Sequence, residues 1–382
     1  MKGNLLLYLE SLYVKDFRNY SEQLVRFSRG RNLILGKNGY GKTNLLEAIY
    51  MLSTSKSFRN ISDQKIRRWG TSGYIIRGDF NTEKGSYELT LEYDGEKKRF
   101  YVNRVAEQKL ANIIGYVYSV LFSFDDILLV TGPPIFRRHY LDLILSTVDP
   151  QYFSNLRVYI QLLKHKNRYL AETSAIDNDL LETLNDQMIL SGSYIIEKRS
   201  TFVKYLNDFM GEVSEKIGHF KSSLRLLYRT NILHDRDYEL LPQVEKLYRE
   251  ELERKKDIEL KLSQAIVGPH RDEIVFYDSN SEIRFFGSIG EARLTSILLR
   301  LAQASFYRKT RGCLPILLID DILLELDQKN REKVLELFGI ENQMIVTTTE
   351  RHRVSEIFSW DRVFNIVEKG RIEWKEIETP ST

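Results

Sequence analysis

The octapeptide Gly36-Lys37-Asn38-Gly39-Tyr40-Gly41-Lys42-Thr43 constrains the chain more than any other stretch. Leu33-Ile34-Leu35 before it has the apolar run of a buried strand, and Asn44 to Leu52 after it reads as a helix. Strand, glycine-rich turn and helix in that order is the setting in which G-x-x-x-x-G-K-[ST] folds as a phosphate-binding loop. Its glycines let backbone N–H groups line a cup, and the helix start adds its positive dipole end. Lys42 brings a mobile cation and Thr43 a hydroxyl for Mg²⁺. Gly36 through Asn44 therefore form the expected nucleotide-binding stretch, and a nucleoside triphosphate fits it.

The second strong signal is Pro315-Ile316-Leu317-Leu318-Ile319-Asp320-Asp321, an apolar strand that ends in two carboxylates. Ligands of open α/β sheets bind at the carboxyl ends of the strands. Asp320 is expected to hold Mg²⁺, directly or through water. Asp321, with Lys42, is expected to be catalytic by orienting and partly deprotonating an attacking water. The competing reading is that both acids cap the next helix.

Ser288-Ile289-Gly290-Glu291 fits the capping box S-x-x-E, which needs no function. Gly290 argues for more, because glycine in a first helical turn costs on the order of 1 kcal/mol relative to alanine. Ser288 and Gly290 at a helix N-terminus are expected to form a second phosphate-binding surface, serving a nucleotide held by another subunit. Asp327, counted with the cofactor-binding residues, also suits the N-cap of the next helix. Thr347-Thr348-Thr349 end a strand and suit equally a hydroxyl placed near a γ-phosphate and a plain strand end.

The rest of the chain frames these motifs. Leu7 to Phe17 and Leu24 to Phe27 read as strands, and three alternating runs between Tyr74 and Val102 form an antiparallel meander. Between about 135 and 262 the sequence is rich in Leu, Lys, Glu and Tyr and reads as helical, with a long helix over Asp179 to Ile217. Leu181, Met188, Ile195, Phe202 and Phe209 recur every seven residues there, but their companions lose apolar character, which suggests a short, partly packed arm. Strands return at Glu273 to Asp278 and Glu282 to Phe286. The fold class that follows is α/β: a P-loop head with a β meander, split by a helical insertion. Its division is 1–134, 135–262 and 263–382, the last third carrying Ser288 and the carboxylate pair.

Composition mainly excludes. One cysteine, Cys313, permits no intrachain disulfide, and no stretch approaches the ~18 apolar residues that span a bilayer. A soluble, cytoplasmic setting without a membrane partner is expected. Net charge is only +3, so a nucleic-acid surface has to be a local patch. Lys65, Arg67 and Arg68, and Lys97, Lys98 and Arg99, are the candidates, though each also suits a solvated surface.

These motifs resemble the ATP-binding-cassette heads of the SMC and Rad50 class. Lys15-Asp16-Phe17-Arg18-Asn19-Tyr20, Ser57-Phe58-Arg59, Arg137-Arg138, Gly268-Pro269-His270-Arg271-Asp272 and Glu325-Leu326-Asp327 extend the resemblance, along nearly the whole chain, to the RecF family of bacterial gap-repair proteins. That resemblance implies binding of ATP and Mg²⁺, an ATP-dependent homodimer with two nucleotides sandwiched, and slow hydrolysis as a timer. It further implies association with double-stranded and gapped DNA and, with RecR and RecO, loading of RecA. Glu291, Tyr40 and Phe124 depart from the family pattern, Glu291 by adding negative charge beside the expected phosphate surface. An ATPase subunit of a transporter is the rival reading, opposed by the long helical insertion. A nuclease built on the same head is opposed by the lack of room for a metal nuclease domain after residue 350.

Overall fold

The computed structural model describes residues 7–82, 85–108, 113, 115–172, 177–232, 243–322, 328–338, 342–349, 359–368 and 370–375. Its strands are β1 (Leu7–Phe17), β2 (Tyr20–Arg26), β3 (Arg31–Gly36), β4 (Tyr74–Thr82), β5 (Gly85–Tyr93), β6 (Lys98–Val102), β7 (Val105–Ala106) and β8 (Ser119–Phe122). They continue as β9 (Leu224–Arg229), β10 (Glu273–Asp278), β11 (Ser281–Glu282), β12 (Ile316–Asp320), β13 (Met344–Thr348), β14 (Arg362–Glu368) and β15 (Arg371–Lys375). Met1–Asp126 with Leu299–Thr382 make one compact unit, and Ile127–Leu298 a second, which runs beyond 135–262 at both ends.

The first unit holds two six-stranded sheets. One is the antiparallel meander, in the order β2-β1-β4-β5-β6-β7. Its alternating sequences put one face inward, as in β1, where Leu7, Leu9, Leu12, Val14 and Phe17 are buried. β2 starts at Tyr20, earlier than the expected Leu24, because Phe17 pairs with Tyr20 across the two-residue turn Arg18-Asn19.

The other sheet has the order β15-β14-β3-β13-β12-β8, parallel except for β15. Its strands are near-continuous apolar runs, as sheets covered on both faces require. The helix Lys42–Thr54 touches strands of both sheets, and Leu45, Leu46, Ala48, Ile49, Met51 and Leu52 on it are fully buried. An all-round apolar helix is stable only when enclosed in this way.

The second unit contains the helices Pro134–Val148, Pro150–Glu172, Asn178–Ile217 and Val244–Leu262 and the sheet β11-β10-β9. The seven-residue seam of Asn178–Ile217 does not fade into solvent. Phe209 is only half-buried, but Val203, Leu206, Met210, Val213 and Ile217 take over as the buried stripe. A straight helix of 3.6 residues per turn drifts about 20° per heptad, so a strict heptad reading loses a stripe that has merely rotated.

Two further stretches fold differently from their sequence pattern. The block read as wholly helical contains β9, whose Leu-Arg-Leu-Leu-Tyr-Arg alternates buried and open positions and pairs with β10. Glu282 to Phe286 is not a hairpin strand: only Ser281–Glu282 pair, and Ile283–Phe286 form one helical turn held by the buried Ile283.

Candidate nucleotide site

The site is built at the carboxyl ends of β3 and β12, with β13 between them. Register sets Thr347 of β13 beside Asp320 on one side and Ile34 on the other. Gly36 closes β3, where a Cβ would come within 3.1 Å of the Ile366 side chain on β14. Gly39 and Gly41 follow with φ of 80° and 113°, a region that costs any other residue strain. Gly41 is the N-cap of Lys42–Thr54, so this helix starts two residues before Asn44.

Behind the loop stands the β1–β2 turn. Asn19 donates to the Tyr40 carbonyl at 2.7 Å and accepts from Asn44 at 2.8 Å, while Tyr20 donates its hydroxyl to the Gly41 carbonyl at 3.0 Å. A Cβ on Gly41 would lie 2.6 Å from Asn19 and 2.8 Å from the Tyr20 hydroxyl. Only glycine admits this brace. Arg18 makes a paired hydrogen bond to Glu47, which is fully buried on the helix and also accepts from Ser57 and lies 3.5 Å from Arg59. Asn19, Tyr20 and Glu47 thereby have structural roles behind the P-loop that no local spacing announces. What signal the sequence holds is Phe17-Arg18-Asn19-Tyr20, since polar residues after a buried strand residue need partners.

Lys42 donates to the Gly36 carbonyl at 2.8 Å, and its pKa is lowered by burial, against the charges of Asp321 and Asp320. Thr43 and Thr347 both donate to Oδ1 of Asp320, at 2.9 and 2.7 Å. The Thr347 hydroxyl is thus engaged by Asp320, not aimed at a phosphate. Burial raises the pKa of Asp320, with these two hydroxyls opposing. Asp321 has φ 55° and a buried Oδ1 that no described residue meets.

Asn38, Gly39, Gly41, Lys42, Thr43 and Asn44 line one cleft with Asp320 and Asp321. Arg59 and Phe124 line it as well. Gly36 and Lys37 sit behind it, offering carbonyls to Lys42, and Tyr40 is half-buried against the β1–β2 turn. Among the described residues no cluster of three His, Cys, Asp or Glu could hold a metal by itself. Mg²⁺ does not require one, since it takes one or two protein oxygens with phosphate and water oxygens completing the shell. Thr43 and Asp320, joined at 2.9 Å, suit such a cation, and the unmatched Asp321 oxygen is left for a water.

Ser288 and Gly290 belong to the second unit. The Ser288 N–H donates to the Glu291 carboxylate at 2.8 Å and the Glu291 N–H to the Ser288 hydroxyl at 3.1 Å, completing the capping box of helix Ile289–Arg311. No packing demands Gly290, whose added Cβ would meet only the Ser288 hydroxyl at 3.8 Å. Phe285, Phe286 and Ile289 around it are exposed. Asp327 lies outside the described residues.

A family model described as RecF/RecN/SMC N terminal domain matches residues 8–112. The "DNA replication and repair protein RecF" of Halalkalibacterium halodurans is 32% identical over 97% of this chain and all of its own length. The chain belongs to the RecF family. The Oenococcus oeni protein of that name is 35% identical over 90% of the chain and 93% of its own. A solved structure of the recombination mediator RecF with ATP superposes at a TM-score of 0.89, with 26% identity, covering 98% of this chain and 99% of that one. The fold is that of the RecF family, with β3, the helix Lys42–Thr54 and β12 forming its P-loop frame. Among the described residues no helix is long and apolar enough to cross a membrane.

Proposed function

We propose that the protein is an ATP-driven DNA-binding switch of replication and recombinational repair. The observation that carries this reading is the convergence of Lys42, Thr43, Asp320 and Asp321 on one cleft in a RecF-family frame. The loop N–H groups and Lys42 bind the triphosphate. Mg²⁺, when bound by Thr43 and Asp320, neutralises charge on the phosphate oxygens. Asp321 orients a water for attack on the γ-phosphorus and accepts its proton, while the bond from that phosphorus to the β–γ bridging oxygen breaks and ADP leaves with that oxygen.

One cleft neutralises the γ-phosphate incompletely. Ser288 and Gly290 of a second copy supply the missing donors, so ATP links two copies face to face and hydrolysis releases them. The three exposed apolar side chains around that segment give the closed pair surface to bury. The closed pair holds duplex DNA near single-strand gaps and, with RecR and RecO, helps load RecA. Turnover is slow, and its function is to time release. In the cell the protein works in the cytoplasm.

The test uses D321N with ATP and Mg²⁺. It is expected to accumulate as a dimer on gel filtration and to retain duplex DNA, and a monomer indifferent to DNA would sink the reading. S288R is expected to lose dimerisation while keeping mononucleotide binding. Loss of both would leave Ser288 only its capping role.

A further inference from the structure

Residues 63–71 form a short structured projection of the first unit. Its inner side is fixed: Ile66 is buried, Arg18 N–H donates to the Ile66 carbonyl at 2.8 Å, and Arg68 N–H donates to the Asp16 carbonyl at 2.7 Å. Phe17 also bridges to Arg67. Its outer side carries the most exposed large hydrophobic side chain among the described residues. Trp69 is 99% exposed, and Lys65, Arg67 and Arg68 beside it are exposed as well. None of the three cations has a carboxylate partner within ion-pair distance among the described residues.

A wholly exposed indole is costly surface, since tryptophan is among the most buried residue types on average. Gly70, with φ 85°, turns the chain just after it, so the tip is set by backbone geometry. Arg67 donates to the Gln64 and Thr71 carbonyls, but cations without a carboxylate partner on a rigid support suit a polyanion, and a free indole face among them suits a planar group carried by it. Nucleic acid offers both. Within duplex DNA each base already stacks on two neighbours, and opening a step costs a few kcal/mol. An unpaired base has a free face at no such cost, and stacking on an aromatic side chain is then favourable.

We propose that Lys65, Arg67, Arg68 and Trp69 form a nucleic-acid contact in which the cations hold backbone phosphates and Trp69 stacks on an unpaired base. This site rests on the DNA-binding reading above and adds to it the residues and the strand they meet. The same Asp16–Tyr20 segment that anchors the projection braces the P-loop through Asn19 and Tyr20, so both are held by one turn.

The experiment compares wild type, W69A and W69F on an intact duplex and on a gapped duplex with 2-aminopurine at the first unpaired position. Wild type is expected to quench the 2-aminopurine on binding. W69A should abolish the quench and weaken gapped-DNA binding about tenfold, with intact-duplex binding unchanged, whereas W69F should retain most of both signals. R68E should weaken both DNAs and flatten the salt dependence. Unfolding of W69A at the wild-type temperature guards against a folding artefact. If W69A binds and quenches as wild type does, the site is overturned and a protein partner becomes the better occupant. If W69A weakens the intact duplex equally, with no quench in wild type, stacking on an unpaired base is overturned. Wild type that binds neither DNA defeats the DNA-binding reading itself.

Discussion

The nucleotide cleft and the interior of the second unit treat charge in opposite ways. At the cleft, Lys42 spends itself on backbone carbonyls, an oxygen of Asp321 finds no described partner, and Arg59 stays one-third exposed. In the second unit Arg199 is buried and makes four hydrogen bonds. It donates to Asp142 at 2.7 Å, Asp272 at 3.0 Å, the Pro269 carbonyl at 2.7 Å and the Tyr152 hydroxyl at 3.0 Å. Tyr228 also donates to Asp272, and His270 is held between Tyr159 and the Ala265 carbonyl. Lys166 and Glu259, both buried, pair at 2.6 Å nearby.

Gly268-Pro269-His270-Arg271-Asp272 is therefore the knot that ties helices Pro134–Val148, Pro150–Glu172 and Asn178–Ile217 to β10. Gly268 has φ 131° and a Cβ there would collide with the hydroxyls of Tyr159 and Tyr248. One oxygen of Asp272, like one of Asp321, is buried without a hydrogen-bond partner among the described residues, so what sets the regions apart is the guanidinium that Asp272 faces and the open cleft that Asp321 faces.

The sharpest way to break this contrast is R199L. Removing the guanidinium leaves the buried Asp272 and the half-buried Asp142 without their cation, so stability is expected to fall by about 3–5 kcal/mol in urea denaturation. K42A at the cleft should change the same curve by under ~1 kcal/mol while abolishing ATP binding in calorimetry. Equal losses in the two variants would erase the distinction.

E47Q probes a residue at the border of the two kinds. Its carboxylate serves Arg18, Ser57 and Arg59, so the neutral amide should cost about 2 kcal/mol and loosen the brace behind the P-loop. A thermal melt together with nucleotide affinity reads both effects.

Acid separates the regions next. Burial lowers the His270 pKa from 6.5 to about 4, so the folded state resists a proton that the unfolded chain accepts. Above pH 6.5 both states are neutral at this residue and it has no effect; stability is lost as pH falls from about 6.5 toward 4. H270Q should flatten that part of the urea midpoint against pH, and an unchanged slope would refute the assignment. The smallest effect is expected from S288A, which removes one capping bond and about 1 kcal/mol, read from the melting curve.

The P-loop, the carboxylate strand and the meander were legible in the sequence because each signal is local: a fixed spacing, a continuous apolar run, an alternation. β9 was hidden inside a leucine-rich block, where six alternating residues are outweighed by helical neighbours. Arg199 carried no signal at all. Its partners lie 57 and 73 positions away, and nothing in a lone arginine on a helix announces that three elements will close around it. Ser288 was legible as a cap and is one; the second role proposed for it would depend on a surface that one copy of the chain does not contain.

The place of β3 in its sheet bears on how the protein is made. Both neighbours of the strand that leads into the P-loop, β13 and β14, come from residues 344–368, more than three hundred positions later. A chain emerging from the ribosome therefore cannot assemble its fuel pocket until nearly all of it has been synthesised. Pairings this distant in sequence also slow folding. Truncated products would carry the loop's sequence without its shape, so incomplete copies would lack a formed nucleotide cleft.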